Sequence, residues 1–241
     1  ALKDLGRLQD AQSSYQKAIQ LKPDFAEAHN NLGTLLRDLG QLDAALDVYS
    51  LSLSLDPSNP ETIYNKGIVL SLLNRNLEAL DCFESTINVA ENHTQAHNNL
   101  GFISQQVGDF DKAESSFRKA IYLDPNYREA HYNLGGVLRS LGRLEDSIDS
   151  YNQAIALKPD YAEAYSNLSM TYLMQLNFKQ GFELYEWRWK TEQHQDEQQL
   201  SNKPVWSGER DRRVFVWSEQ GVGDVLMFAT VLNELIEVSS E

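Results

Sequence analysis

Ala28–Gly33 reads Ala-His-Asn-Asn-Leu-Gly, and the same six residues return at Ala96–Gly101, 68 positions later. Halfway between them Tyr64–Gly67 reads Tyr-Asn-Lys-Gly, and Tyr132–Gly135 (Tyr-Asn-Leu-Gly) and Ser166–Ser169 (Ser-Asn-Leu-Ser) continue the series in steps of 34. A fixed period of this length is the mark of a repeat architecture. Aligning the units on Gly33, Gly67, Gly101, Gly135 and Ser169 brings three more columns into register. Small residues fall at Ala11, Ala45, Ala79, Ala113, Ser147 and Gly181, and aromatic ones at Tyr15, Tyr49, Phe83, Phe117, Tyr151 and Tyr185. Prolines close the units at Pro23, Pro57, Pro125 and Pro159, with Glu91 as the exception.

Each unit therefore reads as two amphipathic helices, the second stopped by a proline that cannot extend it. Small residues let the backbones approach, and the aromatic fills the space between neighbouring pairs. One pair cannot bury its apolar face alone, so the pairs must stack and draw their stability from nearest-neighbour interfaces.

The period and the Leu-Gly, Ala, aromatic and Pro columns resemble the tetratricopeptide repeat over Ala1 to about Lys190. That resemblance implies an all-α, right-handed superhelical solenoid of helix pairs. The expected array spans 1–190: a partial first repeat, represented mostly by its second helix near Leu8–Leu21, and about five further repeats. The last is divergent, because Gly181 stands in the Ala/Ser column and Arg188 in the column of Ala18, Ala120 and Ala154.

The formal net charge is −14 and the chain has one cysteine, Cys82. A single cysteine excludes an internal disulfide. An acidic surface disfavours nucleic acid, which demands clustered Lys and Arg to displace counterions, and disfavours an anionic membrane surface. No charged-then-apolar leader and no apolar run of about 18 residues appears, so no membrane insertion is expected. The expectations are a cytoplasmic location and a protein or peptide partner that is neutral to basic. Self-association through the truncated repeat end, at Leu2, Leu5 and Leu8, is a further expectation.

Two residues before each Gly-column position stands an asparagine: Asn31, Asn65, Asn99, Asn133 and Asn167. Inside a helix each costs about half a kcal/mol against Ala, so something other than helix propensity placed it there. In a tetratricopeptide-like array the first helix of each pair lines the concave surface, which implies a row of amides along the inner groove. Helices about 8–10 Å apart match about three residues of extended chain at roughly 3.3 Å each. An amide both donates and accepts, so the row suits the main chain of an extended peptide. It resembles the asparagine ladder in the repeat arm of O-GlcNAc transferase-type enzymes. The other reading, bonds to a neighbouring helix or loop, stays open. Flanking groove candidates are Asn30, Tyr64, Asn98, Tyr132 and Ser166 just before the column, and Arg37 and Arg139 one turn beyond it.

His29, His97 and His131 share a column, but a repeat step or more between them prevents convergence on one metal ion, which points to helix packing. The pre-ladder column holds no Lys, so the carboxylate clamp of chaperone-binding relatives is not expected.

Beyond the array, 191–212 reads as a polar linker, and 213–241 as strand, Gly turn and helix: Arg213–Ser218, then Glu-Gln-Gly-Val-Gly-Asp at Glu219–Asp224, then Val225–Val238. This order opens Rossmann-like domains. The junction from Phe182–Trp189 through Glu219–Phe228 resembles bacterial proteins that fuse tetratricopeptide repeats to a GT-B glycosyltransferase-like domain, and the turn is similar to that of heptosyltransferases. The resemblance implies a catalytic base at Asp224, with Glu219, Gln220, Gly221 and Gly223 shaping the turn; an ordinary helix N-cap remains the other reading of Asp224. Met227 departs from the family pattern, where Gln is commoner. No cofactor is expected for these 241 residues, whereas an intact GT-B enzyme would use a nucleotide sugar bound mainly by a second Rossmann-like half. By itself this chain is not expected to catalyse transfer. The function expected is a protein-interaction scaffold, the partner-binding arm of a larger glycosyltransferase-like protein; an active glycosyltransferase and a self-assembling scaffold are the alternatives.

Overall fold

The computed structural model describes residues 8–191. α1 (Leu8–Leu21) aligns with the second helix of the later units. Five helical hairpins follow: α2 (Ala26–Asp38) with α3 (Leu42–Leu55), α4 (Pro60–Leu72) with α5 (Asn76–Val89), α6 (Thr94–Gln106) with α7 (Phe110–Leu123), α8 (Arg128–Ser140) with α9 (Leu144–Leu157), and α10 (Ala162–Met174) with α11 (Phe178–Tyr185). A 3₁₀ turn, Glu186–Lys190, ends the described chain. The all-α array of helix pairs is as expected, and no strand occurs among the described residues. The proposed strand, turn and helix of 213–241, Asp224 included, lie outside the described residues.

The turn inside each hairpin is a Schellman motif, a feature the sequence columns did not expose. The second residue past the first helix has a positive φ in all five units: Gly40 (74°), Asn74 (58°), Gly108 (88°), Gly142 (75°) and Leu176 (62°). In α2 the amide of Gln41 donates to the carbonyl of Leu36 at 2.9 Å and that of Gly40 to Arg37 at 2.9 Å, which satisfies carbonyls orphaned at the helix end. The other four units repeat both bonds. At the other end, Asn59 caps α4 by accepting from the Thr62 amide at 3.1 Å, with Pro60 in the first turn where its missing N–H is harmless.

The glycine and aromatic columns form one joint. A Cβ on Gly33 would lie 2.7 Å from the Tyr49 ring, and on Gly67, Gly101 or Gly135 2.8 Å from Phe83, Phe117 or Tyr151. All four rings are essentially inaccessible. The residue after the glycine suits the ring's chemistry in three of these four units. Thr34 meets the Tyr49 hydroxyl at 3.1 Å, and Ile68 and Phe102 precede the two phenylalanines. Gly136 leaves the buried Tyr151 hydroxyl without a hydrogen-bond partner among the described residues.

Stacking is sequential, each second helix packing on the first helix of the next unit. First helices also touch across units (α2 with α4, α6 with α8, α8 with α10), while second helices show no comparable approach. First helices therefore lie on the inner side of the curve. An ion-pair network links α7 to the α8–α9 turn: Glu114 accepts from Arg118 at 2.8 Å and from Arg143 at 2.8 and 2.9 Å, and Arg143 also holds Asp146 at the start of α9. Burial opposes ionisation of Glu114, but the two arginines overcome it and hold its carboxyl below the ordinary range.

The last unit has contacts of its own. Trp187, from the 3₁₀ turn, stacks on Tyr165 with ring centroids 4.0 Å apart, and Arg188 lies over the rings of Tyr185 and Trp189. Phe178 and Phe182 stack on each other and stay exposed.

Candidate functional site: the inner-face asparagine column

The five asparagines lie on α2, α4, α6, α8 and α10, the inner helices, as the 34-residue period requires. Four of them are anchored to the unit before. Asn65 Nδ2 donates to Asn30 Oδ1 at 3.3 Å, and Asn133 Nδ2 to Asn98 Oδ1 at 3.1 Å. Asn99 Nδ2 donates to the Tyr64 hydroxyl at 3.1 Å and Asn167 Nδ2 to the Tyr132 hydroxyl at 2.9 Å. The separation is 35 residues in every case, so the partner is always the residue just before the preceding asparagine.

The arginines join the same lattice. Arg37 donates to Asn65 Oδ1 at 3.4 Å and pairs with Asp38 at 3.0 Å; Arg139 donates to Asn167 Oδ1 at 3.2 Å. Asn98 donates to Asn99 Oδ1 at 3.4 Å. Every flanking candidate named from sequence except Ser166 is thus in contact with the column.

An amide has two N–H donors. One from each of the four is spent on the array itself, which is the neighbour-bonding reading. The second hydrogen of each has no partner among the described residues. The column is therefore an oriented row of half-used amides. Burial is uneven: Asn65 is 6% exposed, while Asn31, Asn99, Asn133 and Asn167 are half-buried.

Burial pushes the Tyr64 phenol up to about 12, against the opposing pull of the Asn99 bond, and raises Tyr132 for the same reason. Both phenols stay protonated near neutrality, accepting from the asparagine and keeping a hydrogen of their own to donate. The three column histidines do other work. In His29, His97 and His131, Nε2 lies 2.9 Å from the carbonyl of Pro23, Glu91 and Pro125, the residue six positions back. A carbonyl only accepts, so Nε2 carries the proton and each ring ties the unit's first helix to the connection before it. No group of three or more side chains suited to a metal ion occurs among the described residues.

Sequence reasoning missed what flanks the column. Glu27, Glu61, Glu129 and Glu163 stand four residues before the asparagines, one turn away on the same helix face. That recurrence was legible as a further column, interrupted only by Gln95 before Asn99.

Tetratricopeptide-repeat models match residues 1–60 and 94–127, and a TPR-repeat model matches 135–175, together more than half of the chain. No curated protein matches. Among solved structures, YrrB, described as a TPR protein with an unusual peptide-binding site, is 24% identical with a TM-score of 0.64, the match covering 73% of this chain and 91% of that one. The MamA protein is 22% identical (TM-score 0.63, covering 74% and 98%). A tetratricopeptide repeat protein from Parabacteroides merdae is 22% identical (TM-score 0.66, covering 77% and 73%). Likeness at this level concerns the fold.

Proposed function

The chain belongs to the tetratricopeptide-repeat proteins, and we propose that it is a protein-interaction scaffold whose inner groove holds extended peptide segments. The observation that carries this reading is the asparagine row. Each of four carboxamides is fixed by a bond to the preceding unit, and its second N–H has no partner among the described residues. Peptide binding in YrrB, a protein of the same fold, supports it. Preorganised donors spaced about 8–10 Å apart match main-chain carbonyls about every third residue. The test is a peptide-binding measurement on the Asn99→Ala, Asn133→Ala double variant, checked for folding by circular dichroism. Loss of about 1–3 kcal/mol of affinity is expected; unchanged affinity would remove the row from the site.

A finer reading makes this scaffold the arm of a glycosyltransferase-like protein. It rests on the pattern of Arg213–Ser218, the Glu219–Asp224 turn and Val225–Val238, with Asp224 as the base and a nucleotide sugar as donor in the intact protein. Sequencing the coding region on either side, and assaying sugar transfer by intact protein carrying Asp224→Asn, tests it; full activity of that variant excludes the assigned role. A cytoplasmic location belongs to the same proposal. Among the described residues no helix is long and apolar enough to cross a membrane.

A further inference from the structure

Resting on the peptide-docking reading, the structure assigns the groove a charge rule: it takes extended segments in which basic and apolar side chains alternate. The inner face carries three parallel rows. One turn before the asparagines run Glu27, Glu61, Glu129 and Glu163. Three and seven residues after the asparagines of α4, α6 and α10, again on the same face, stand large apolar side chains that are about half exposed, Leu72 (57%), Phe102 (42%), Met170 (46%) and Met174 (55%), whereas α2 and α8 carry Thr34, Asp38, Gly136 and Ser140 there. The amide row lies between.

At 1.5 Å of rise per residue the acidic row lies about 6 Å to one side of the amides and the apolar row about 4–10 Å to the other. A strand laid along the amide row directs successive side chains to opposite sides, one set over the glutamates and the other over Phe102 and its neighbours. Charge selects the first set. The two inner-face arginines keep their charge, Arg37 against Asp38 and Arg139 beside the neutral Asn167, and are outnumbered by the four glutamates. Glu129 also pairs with Arg128 at 2.9 Å, an exposed contact that solvent screens. The face stays net negative, in keeping with a chain of charge −14. A complementary charge supplies partner choice more than raw affinity.

The experiment measures fluorescence anisotropy of three labelled eight-residue peptides against the full chain: alternating Lys and Leu, alternating Glu and Leu, and alternating Lys and Ser. The Lys–Leu peptide is expected to bind about tenfold more tightly than either of the others. Glu61→Gln with Glu163→Gln should weaken it about threefold or more and flatten its salt dependence. Phe102→Ser should weaken it without changing that dependence. A control pair on the second helices, Asp47→Asn with Asp81→Asn, should leave affinity unchanged. Equal binding of all three peptides overturns the charge rule and leaves peptide docking standing; no binding by any overturns both. An equal loss in the control pair shows charge acting without a site and also overturns the assignment.

Discussion

The hydroxyl of Ser169 donates to the carbonyl of Gly181 at 2.8 Å, the mirror image of the unit before, where Ser147 donates to Gly135 at 2.7 Å. In the α8–α9 hairpin the glycine is on the inner helix and the serine on the outer one; in α10–α11 they have changed places. Either arrangement leaves one backbone without a Cβ and supplies the other with a short donor. Gly181→Ala would set a Cβ 2.5 Å from Leu173 Cδ2 and 2.7 Å from its Cγ. It should destabilise by about 1–3 kcal/mol, and Ser169→Ala by about 0.5–1.5 kcal/mol. Urea midpoints check both.

Glycines in this chain divide sharply by surroundings. Gly101→Ala places a Cβ 2.8 Å from the Phe117 ring and should lose about 1–3 kcal/mol despite the better helix former. Gly136→Ala meets nothing closer than 3.7 Å and should gain about 0.5–1 kcal/mol. Gly136→Thr should gain more, because it offers the Tyr151 hydroxyl the partner that Thr34 gives Tyr49. Thermal melts of the three variants would rank them; a Gly136→Thr protein that melts below Gly136→Ala would exclude that bond.

Leu176 holds a φ of 62° where three of the other four units have glycine. A left-handed conformation costs an L-residue about 1–2 kcal/mol, and its side chain is 73% exposed, so little burial is forfeited. Leu176→Gly should therefore stabilise the last hairpin by about 1 kcal/mol. Hydrogen exchange at α10 and α11 reports it locally; faster exchange would contradict the assignment of strain.

The bond from Asn99 to Tyr64 joins two units, and its worth is a coupling. A double-mutant cycle of Asn99→Ala and Tyr64→Phe should return about 0.5–1.5 kcal/mol. Additive losses would show that the amide is held by packing alone.

His97 is buried, and burial lowers its pKa below the ordinary histidine value. The unfolded chain then binds the proton more readily. Its contribution to stability is complete above about pH 6.5 and is lost as the pH falls through the lower folded value. Titrating stability from pH 7.5 to 5 in the parent and in His97→Gln should show a steeper acid loss in the parent; parallel curves would show that His97 does not titrate in this window.

Much of the site was readable as columns. Period alone placed Asn31, Asn65, Asn99, Asn133 and Asn167 at one position of every first helix, while their inner-face setting came only with the tetratricopeptide resemblance, and His29, His97 and His131 were read as packing residues. The row of Glu27, Glu61, Glu129 and Glu163 was equally visible, but an exposed acidic residue in the first turn of a helix is ordinary and attracts no notice until the face around it is known. The donors of the asparagines were not readable. Asn99 and Tyr64 stand 35 residues apart, and whether they meet depends on how closely two helices approach.

The sequence by itself determined the period, the helix pairs and which residue types recur at each joint. These follow from local rules repeated in every unit: a proline stop, a small residue where backbones meet, and an aromatic filling the gap. Tertiary structure alone decided that first helices line the inside, that Ser169 and Gly181 exchange roles, and that each amide spends one hydrogen on its neighbour. Such outcomes turn on differences of a few tenths of an ångström between packed helices, because a hydrogen bond fails beyond about 3.5 Å; a pattern of residue types carries no distance that fine.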